Sequence, residues 1–413
     1  MNIPHDGFCV LPWISLETSP VGTVRPCCLS RSEVLDGSGK KYHLTRHGLE
    51  TIQHSEHMRD LRRAFLAGER PADCDRCWSE ESAGRTSKRL HTLDRLKHWI
   101  GDEEWTEDAR PLMFLDLKLG NICNLKCRIC GSWSSSTFAS EEIMAVTDPQ
   151  ERKQTFAYTM LRAGAWPRQS PEFWQDLDQH LEHIRYIEFT GGEPFMIEEH
   201  FDLLQGLVDR GVADQVEIHY NTNGSIWPDR GPAIWRHFRH VEVAFSIDDK
   251  AWRFNYQRSG ADWDEVLLRI DRFRDLRAQT TNMSLQICCT ISVFNILYIG
   301  ALWDLFRNMD MDYIYWNMLH DPPHLSIAHA PEGVKAAARE ELAHWMDRPV
   351  AEEFRRVQAF MDQGESWDGD QLVKDILKLD ARRGERLIVA LPELNHALGM
   401  VYPSVDIVKK KSK

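Results

Sequence analysis

The chain has 413 residues, of which 42% are hydrophobic, 10% aromatic and 27% charged, proportions that exclude a disordered or fibrous protein. Its 50 Lys and Arg against 63 Asp and Glu give a formal charge of -13, a field that repels polyphosphate, so no nucleic-acid partner is expected. At roughly 100 to 200 residues per domain the length allows two or three domains.

In chain order, Met1 to Pro20 carries no basic leader, and its apolar stretch is broken by Cys9, Pro12 and Ser15, so a cytoplasmic location is expected. Residues 1–110 lack a regular alternation of strand and helix patterns. Turns at Gly22, Gly37 and Gly39 precede a helical pattern from Leu49 to Leu66, which together read as a separate small module. The basic stretch Arg85 to His98 reads as a solvated helix face, with docking of an acidic partner as the alternative.

From Pro111 the pattern alternates. Strands are expected at Leu112–Leu119, Arg185–Thr190, Val216–Tyr220, Val241–Ile247, Leu285–Val293 and Met311–Met318, each separated by room for a helix. Such βα units pair in parallel and place ligands at the C-terminal ends of the strands. The long polar segment Glu141 to Pro171 reads as helices with an insertion. Leu285 to Trp303 has no charge, but Gln286, Thr290, Ser292, Asn295 and Gly300 interrupt it, so a buried strand and a covering helix are expected and a membrane span is not. After Asp321-Pro322-Pro323 the chain reads as helices at Gly333–Arg348, Val350–Asp362 and Gln371–Arg383, ending in Lys409-Lys410-Lys411. The expected domains are 1–110, 111–322 and 323–413.

Spaced thiols in a reducing compartment point to metal or catalysis rather than disulfides. Cys123, Cys127 and Cys130 form C-x3-C-x2-C in the loop after the first expected strand. Three thiolates there leave the fourth iron of a cubane cluster open, as a catalytic metal site requires. This motif resembles that of radical S-adenosylmethionine (radical SAM) enzymes. Further pieces follow the later strands in the family's order. Gly191-Gly192-Glu193-Pro194 is similar to its GGEP motif, Thr222-Asn223-Gly224 to its TNG segment, Ser246-Ile247-Asp248 to its SxD segment near the ribose, and Asn255 to Arg258 to its N-x-x-R segment. The resemblance covers roughly residues 112 to 320 and implies an α/β fold, a partial (β/α)6 TIM-like barrel. It also implies S-adenosylmethionine contacts at Gly191, Gly192, Glu193, Thr222, Asn223, Ser246, Asp248 and Arg258, and a catalytic 4Fe-4S cluster on Cys123, Cys127 and Cys130. The implied chemistry is reductive cleavage to a 5'-deoxyadenosyl radical that removes a hydrogen atom from substrate.

A second thiol set, Cys9, Cys27 with its neighbour Cys28, Cys74 and Cys77, lies in the N-terminal module. By spacing alone a closed four-Cys set fits zinc as well as iron. Neighbouring side chains of an extended segment point to opposite faces, so one of Cys27 and Cys28 is expected to ligate. Cys9, Gly22 and Cys27 resemble the opening of SPASM and twitch modules, and Cys74-x2-Cys77 would complete such a site. That resemblance implies a second, auxiliary 4Fe-4S cluster on Cys9, Cys27, Cys74 and Cys77. Cys288 and Cys289 sit in a strand pattern and read as core.

The expected function is a radical SAM enzyme of oxidoreductase type that oxidises, cross-links or epimerises a ribosomally made peptide, reduced by a flavodoxin or ferredoxin-type protein. The alternatives are radical oxidation or rearrangement of a small metabolite such as a sugar or aminocyclitol, and a non-catalytic metal-binding scaffold. No residue is marked as general acid or base.

Overall fold

The computed structural model describes residues 3–82, 84 and 86–400. They form two compact units, Met1–Ser246 with Arg258–Ile287, and Ile247–Gln257 with Cys288–Lys413. Eight strands follow one another as β1 (Ser15–Thr18), β2 (Val24–Arg25), β3 (Phe114–Lys118), β4 (Tyr186–Thr190), β5 (Glu217–Thr222), β6 (His240–Ser246), β7 (Met283–Ile291) and β8 (Tyr313–Met318). Their order in the sheet is β2-β1-β3-β4-β5-β6-β7-β8. The order does not close on itself, as expected of a partial barrel. β1, β3, β4, β5 and β6 pair in parallel, and β2 runs antiparallel to β1. β3 to β8 occupy the six segments expected from the sequence. β1 and β2 were not expected. They come from the N-terminal 110 residues, and Ser15 pairs with Phe114 and Leu16 with Leu115, so this segment shares both the first unit and the sheet.

The sheet of the first unit has one apolar and one ionisable face, because side chains alternate along each strand. On the apolar face Leu117, Ile187, Phe189, Tyr220, Val241, Val243 and Phe245 are fully buried. Rings from the crossover helices cover them: Phe273 packs edge-on to Phe245 at 5.2 Å, and Trp235 lies 5.5 Å from Tyr220. The buried Tyr220 hydroxyl is satisfied by His200 Nε2 at 3.1 Å and by Trp235 Nε1 at 3.3 Å, as a polar tip in a core must be.

The opposite face carries a row of ionisable residues in register. Glu17 pairs with Asp116, Asp116 with Glu188, Glu188 with His219 and His219 with Glu242, one from each of five adjacent strands. Carboxylates this close need cations. Lys118 is ion-paired to Glu17, and His219 Nδ1 lies 2.7 Å from Glu242. The helix Lys88–Leu96 supplies the rest. Lys88 Nζ donates to both Glu188 oxygens at 2.7 Å, and Arg95 reaches Glu217 at 3.3 Å while lying over the Tyr186 ring. The expectation of a solvated basic helix face is therefore corrected in part: Lys88, Arg89 and Arg95 are turned into the protein and paired, Lys88 and Arg95 with carboxylates 100 and 122 positions away and Arg89 with Glu81, while His91, Lys97 and His98 are exposed. Arg85 lies outside the described residues.

The single helix expected over Leu49–Leu66 is two, Leu49–Gln53 and Glu56–Leu66, because the Ser55 hydroxyl caps the second by accepting from Met58 N. The uncharged Leu285–Trp303 stretch resolves into most of β7, a short 3-10 turn and the eight-residue helix Ile299–Phe306. No described helix is long and apolar enough to cross a membrane. In the second unit the helices Glu332–Ala343, Ala351–Gln363 and Asp370–Arg383 follow β8. Asp380 ties two segments there, accepting from Tyr256 Oη at 2.9 Å and from Leu387 N at 2.8 Å. The tail Lys409-Lys410-Lys411 lies outside the described residues.

Removing Lys88 leaves Glu188 as an uncompensated carboxylate. Lys88→Met is expected to lower unfolding free energy by about 3 kcal/mol, and the paired Lys88→Met/Glu188→Met variant to regain most of it. Urea titration of the three proteins decides: a loss under about 0.5 kcal/mol in the single variant contradicts this role of the pair.

Candidate functional site

The loop from Gly120 to Cys130 follows β3 directly. Gly120 has φ +81°, and a Cβ on it would stand 1.9 Å from Gly164 O, so only glycine lets the chain turn out of the strand here. Three hydroxyls of the following helix hold the loop. Ser135 Oγ donates to Leu125 O, Thr137 Oγ1 donates to Cys123 O at 2.5 Å, and Cys123 N donates to Ser136 Oγ at 3.1 Å. The loop folds so that Cys123, Leu125 and Cys127 form one buried cluster with Cys130 packed against it.

The thiols sense one another. Burial and the neighbouring Cys127 push the Cys123 thiol up to about 12, whereas the Cys130 thiol is lowered by a hydrogen bond with Cys127 and then by the Arg258 cation, against its own burial. Two further polar groups reach the sulfurs: Asn223 Nδ2 is 3.8 Å from Cys123 Sγ, and Arg258 Nη1 is 3.8 Å from Cys127 Sγ.

The glycine pair after β4 presses on the same loop. A Cβ on Gly192, φ +54°, would lie 2.4 Å from Ile122 O, and the next amide, Glu193 N, donates to that oxygen at 2.8 Å. Glu193 is fully buried. Its carboxylate accepts from Thr222 Oγ1 and Asn223 N, both at 2.8 Å. Burial pushes the Glu193 carboxyl up to about 7 against those bonds. Gly191, Gly192, Glu193, Thr222, Asn223 and Arg258 are thus gathered about the three cysteines by direct contacts or contacts through one another. Ser246 ends β6 in the first unit. Asp248 belongs to the second unit, where its Oδ1 accepts from Thr290 N at 2.9 Å and its backbone carbonyl accepts from Asn295 Nδ2 at 2.9 Å.

The early cysteines form a different kind of set. Cys9, Cys27, Cys74 and Cys77 line one cavity with Leu11, Phe65, Trp78 and Arg89. Burial raises the Cys9 thiol, and Cys27, Cys74 and Cys77 raise it further; Cys74 is pushed up to about 12 by burial and then by Cys27 and Cys77. Four thiols facing one space, Cys9 and Cys77 buried and Cys27 and Cys74 half-buried, fit a metal centre, whose positive charge lowers thiol pKa values that burial raises. The set is closed, with four protein donors, while the loop after β3 offers three. Cys28 faces elsewhere. Its Sγ and the Asp116 and Glu188 carboxylates lie within 4.8 Å of one another. The adjacent pair divides as expected, with Cys27 in the four-thiol set and Cys28 on the sheet's ionisable face, but the cause is a turn, closed by Ser30 N on Cys27 O at 3.1 Å, and not the alternation of an extended strand.

That face was missed by sequence reasoning, although each strand carries an ionisable residue at its middle: Asp116, Glu188, His219 and Glu242. Lys88 fills the position a bound cation would take between Cys28, Asp116 and Glu188. Burial, then the Glu188 charge, pushes the Asp116 carboxyl up to about 7. Burial acts upward on Glu188 too, but Lys88, His219 and a hydrogen bond with Asp116 hold it down at about 2. Asp116 thus keeps the proton that the two share. Cys289 is fully buried and Cys288 half-buried in β7, in keeping with a core role.

Residues 9–78 match the model of the SPASM family, an iron-sulfur cluster-binding domain, a span that encloses all four cysteines of the closed set. No curated protein matches the chain. Among solved structures, the chain is similar to anSMEcpe with bound AdoMet (16% identity, 65% of this chain and 66% of that chain, TM-score 0.39). It is also similar to Streptococcus suis SuiB bound to its precursor peptide SuiA (12% identity, 75% and 64%, TM-score 0.34), and to TYW1 with a lysine-pyruvate adduct bound (11% identity, 56% and 71%, TM-score 0.28). The chain thus spans about two thirds of the length of anSMEcpe. At these scores the likenesses bear on neither substrate nor reaction.

Two outcomes follow. In a chain whose Cys123, Cys127 and Cys130 are Ala, Cys27→Ser is expected to reduce bound iron from about four per chain to near none, and Cys28→Ser to leave it unchanged; iron analysis after anaerobic reconstitution checks both. Asp116 in the folded chain holds its proton up to about pH 7, whereas unfolded it loses it near 4. Its contribution to stability is therefore present below about pH 4 and lost as pH rises through about 7. Relative to Asp116→Asn, the wild-type chain should lose about 4 kcal/mol across that window; parallel pH profiles of urea denaturation check this.

Proposed function

We propose that this chain is a radical SAM enzyme with a SPASM-type auxiliary cluster, acting on a ribosomally made peptide. The observation that carries the reading is the difference between the two thiol sets. One is closed and lies within residues that match a cluster-binding family; the other offers three thiols, with Asn223 and Arg258 against its sulfurs.

Cys123, Cys127 and Cys130 would hold a 4Fe-4S cluster with one iron open. With S-adenosylmethionine at that iron, the pair supplies one-electron cleavage of the sulfonium to a 5'-deoxyadenosyl radical, which removes a hydrogen atom from substrate. The chain's own residues prepare the place. Gly191 and Gly192 bring the end of β4 against the cysteine loop, where a Cβ would strike Lys118 or Ile122. Buried Arg258 offers a planar cation for its carboxylate. Glu193 acts through others, fixing Thr222 and Asn223, and Asn223 in turn holds Asn124 at 3.0 Å. Burial of the two sulfurs Cys123 and Cys127 limits access of water and oxygen.

The peptide reading follows the SPASM module, whose carriers commonly modify ribosomally made peptides.

Anaerobically reconstituted protein should hold about eight irons per chain, falling to about four when Cys123, Cys127 and Cys130 are Ala. Dithionite and S-adenosylmethionine should yield 5'-deoxyadenosine from the first protein and none from the second. Colourless protein with stoichiometric zinc would refute the reading.

A further inference from the structure

β8 is the last strand of the sheet, and one of its sides meets no other strand among the described residues. On the other side Leu319 N, just past its end, donates to Ile291 O of β7 at 3.1 Å. Backbone groups alternate in direction along a strand, so Tyr313, Tyr315 and Asn317 turn theirs to β7, while Ile314, Trp316 and Met318 turn theirs to the open side. Among the described residues, no group outside the strands hydrogen-bonds to the backbone of those three. Natural proteins blunt such an edge with Lys, Pro, a bulge or brevity. β8 is six residues long, Tyr-Ile-Tyr-Trp-Asn-Met, with no charge, Pro or Gly.

The edge is held in place from behind. Trp316 turns its ring to the covering helices, 5.5 Å from Phe306 and 5.8 Å from Phe354. On the other face Asn317 Nδ2 donates to Thr290 Oγ1 at 3.3 Å. Tyr313 and Tyr315, which share that face by alternation, are 57% and 46% exposed, two rings at the spacing of alternate side chains in a neighbouring strand. Open backbone groups, side chains two positions apart and a rigid support are what a peptide uses when it adds to a sheet as a strand.

Charge chooses the occupant. Exposed Asp310 and Asp312 precede β8, exposed Asp321 follows it, and no Lys or Arg lies between Asn308 and Pro323. A second copy pairing antiparallel, edge to edge, would bring the Asp312 end of one strand against the Asp321 end of the other, like charges on two chains of formal charge -13. An extended peptide with Lys or Arg at both ends meets opposite charge instead, and a basic side chain gains further by lying over a tyrosine ring. Resting on the peptide substrate proposed above, we infer that the open edge of β8 binds an extended segment of that peptide as an added strand, with basic residues at its ends facing Asp310, Asp312 and Asp321 and alternate side chains against Tyr313 and Tyr315.

The test uses the full chain and a blocked, fluorescein-labelled peptide of alternating Val and Thr with Lys at both ends, followed by fluorescence anisotropy, which needs no loaded cluster. Wild type is expected to bind it more tightly than the Glu-ended peptide, with a preference that fades as salt rises. Methylating the peptide's backbone nitrogens should weaken binding about tenfold, since backbone hydrogen bonds carry strand addition. Ile314→Pro, which removes an outward N–H where an edge strand tolerates it, should weaken it by a similar factor. Asp312→Lys should shift the preference toward the Glu-ended peptide. Equal binding of the methylated and unmethylated peptides overturns the inference, as does a wild-type chain with no preference for the Lys-ended one. A wild-type dimer that Ile314→Pro converts to monomer in sedimentation overturns it too, because a second copy then fills the edge. If Ile314→Pro unfolds the chain, the methylated peptide on wild type carries the comparison. Reconstituted protein that yields no 5'-deoxyadenosine defeats the proposed function, and the peptide-binding arm still decides the edge.

Discussion

Acidic side chains at the middle of a sheet are the constraint around which this protein is organised. Glu17, Asp116, Glu188 and Glu242 stand side by side with His219 across five strands, closer to one another than carboxylates tolerate without compensation. The cations come from two places, Lys118 within the sheet and the helix Lys88–Leu96 outside it. Because that helix belongs to the same N-terminal stretch as the closed thiol set, the ion pairs that neutralise the sheet also fasten the cluster-binding module to it. β1 completes the attachment by pairing with β3, so the module is built into the sheet.

The two thiol sets differ in what their surroundings permit. The early set draws cysteines from a loop, a bend, a 3-10 turn and the start of a helix about one cavity, and four donors complete it. The loop after β3 draws its three from consecutive turns of a single segment, and the fourth direction is occupied by the ends of other strands, with Asn223 and Arg258 at the sulfurs. A resident cluster in the first would have protein donors on all sides; one in the second would present an iron to whatever the strand ends hold. That asymmetry is the physical content of the functional reading.

Much of this was legible in the sequence. β3 to β8 announce themselves by β-branched and aromatic runs between helix-length gaps, and the C-x3-C-x2-C loop is a local pattern needing no tertiary knowledge. The division of Cys27 from Cys28 was expected, although a turn at Cys27–Ser30 and not an extended chain produces it. β1 was hidden because Ser15–Thr18 is only four residues long, too short to show a period. The helix Lys88–Leu96 was misread for a different reason: Lys88 and Arg95 meet carboxylates 100 and 122 positions away, and no window on the chain reveals such partners. The ionisable row left a trace, a charged or imidazole residue at the centre of each strand, but only register turns four separate residues into a row.

Cys27 and Cys28 are consecutive, and their Cα atoms are therefore only about 3.8 Å apart. One peptide unit separates the four-thiol cavity from the carboxylates of Asp116 and Glu188 on the sheet. A backbone change at either cysteine is therefore shared by both surroundings, so neither can be rebuilt without the other.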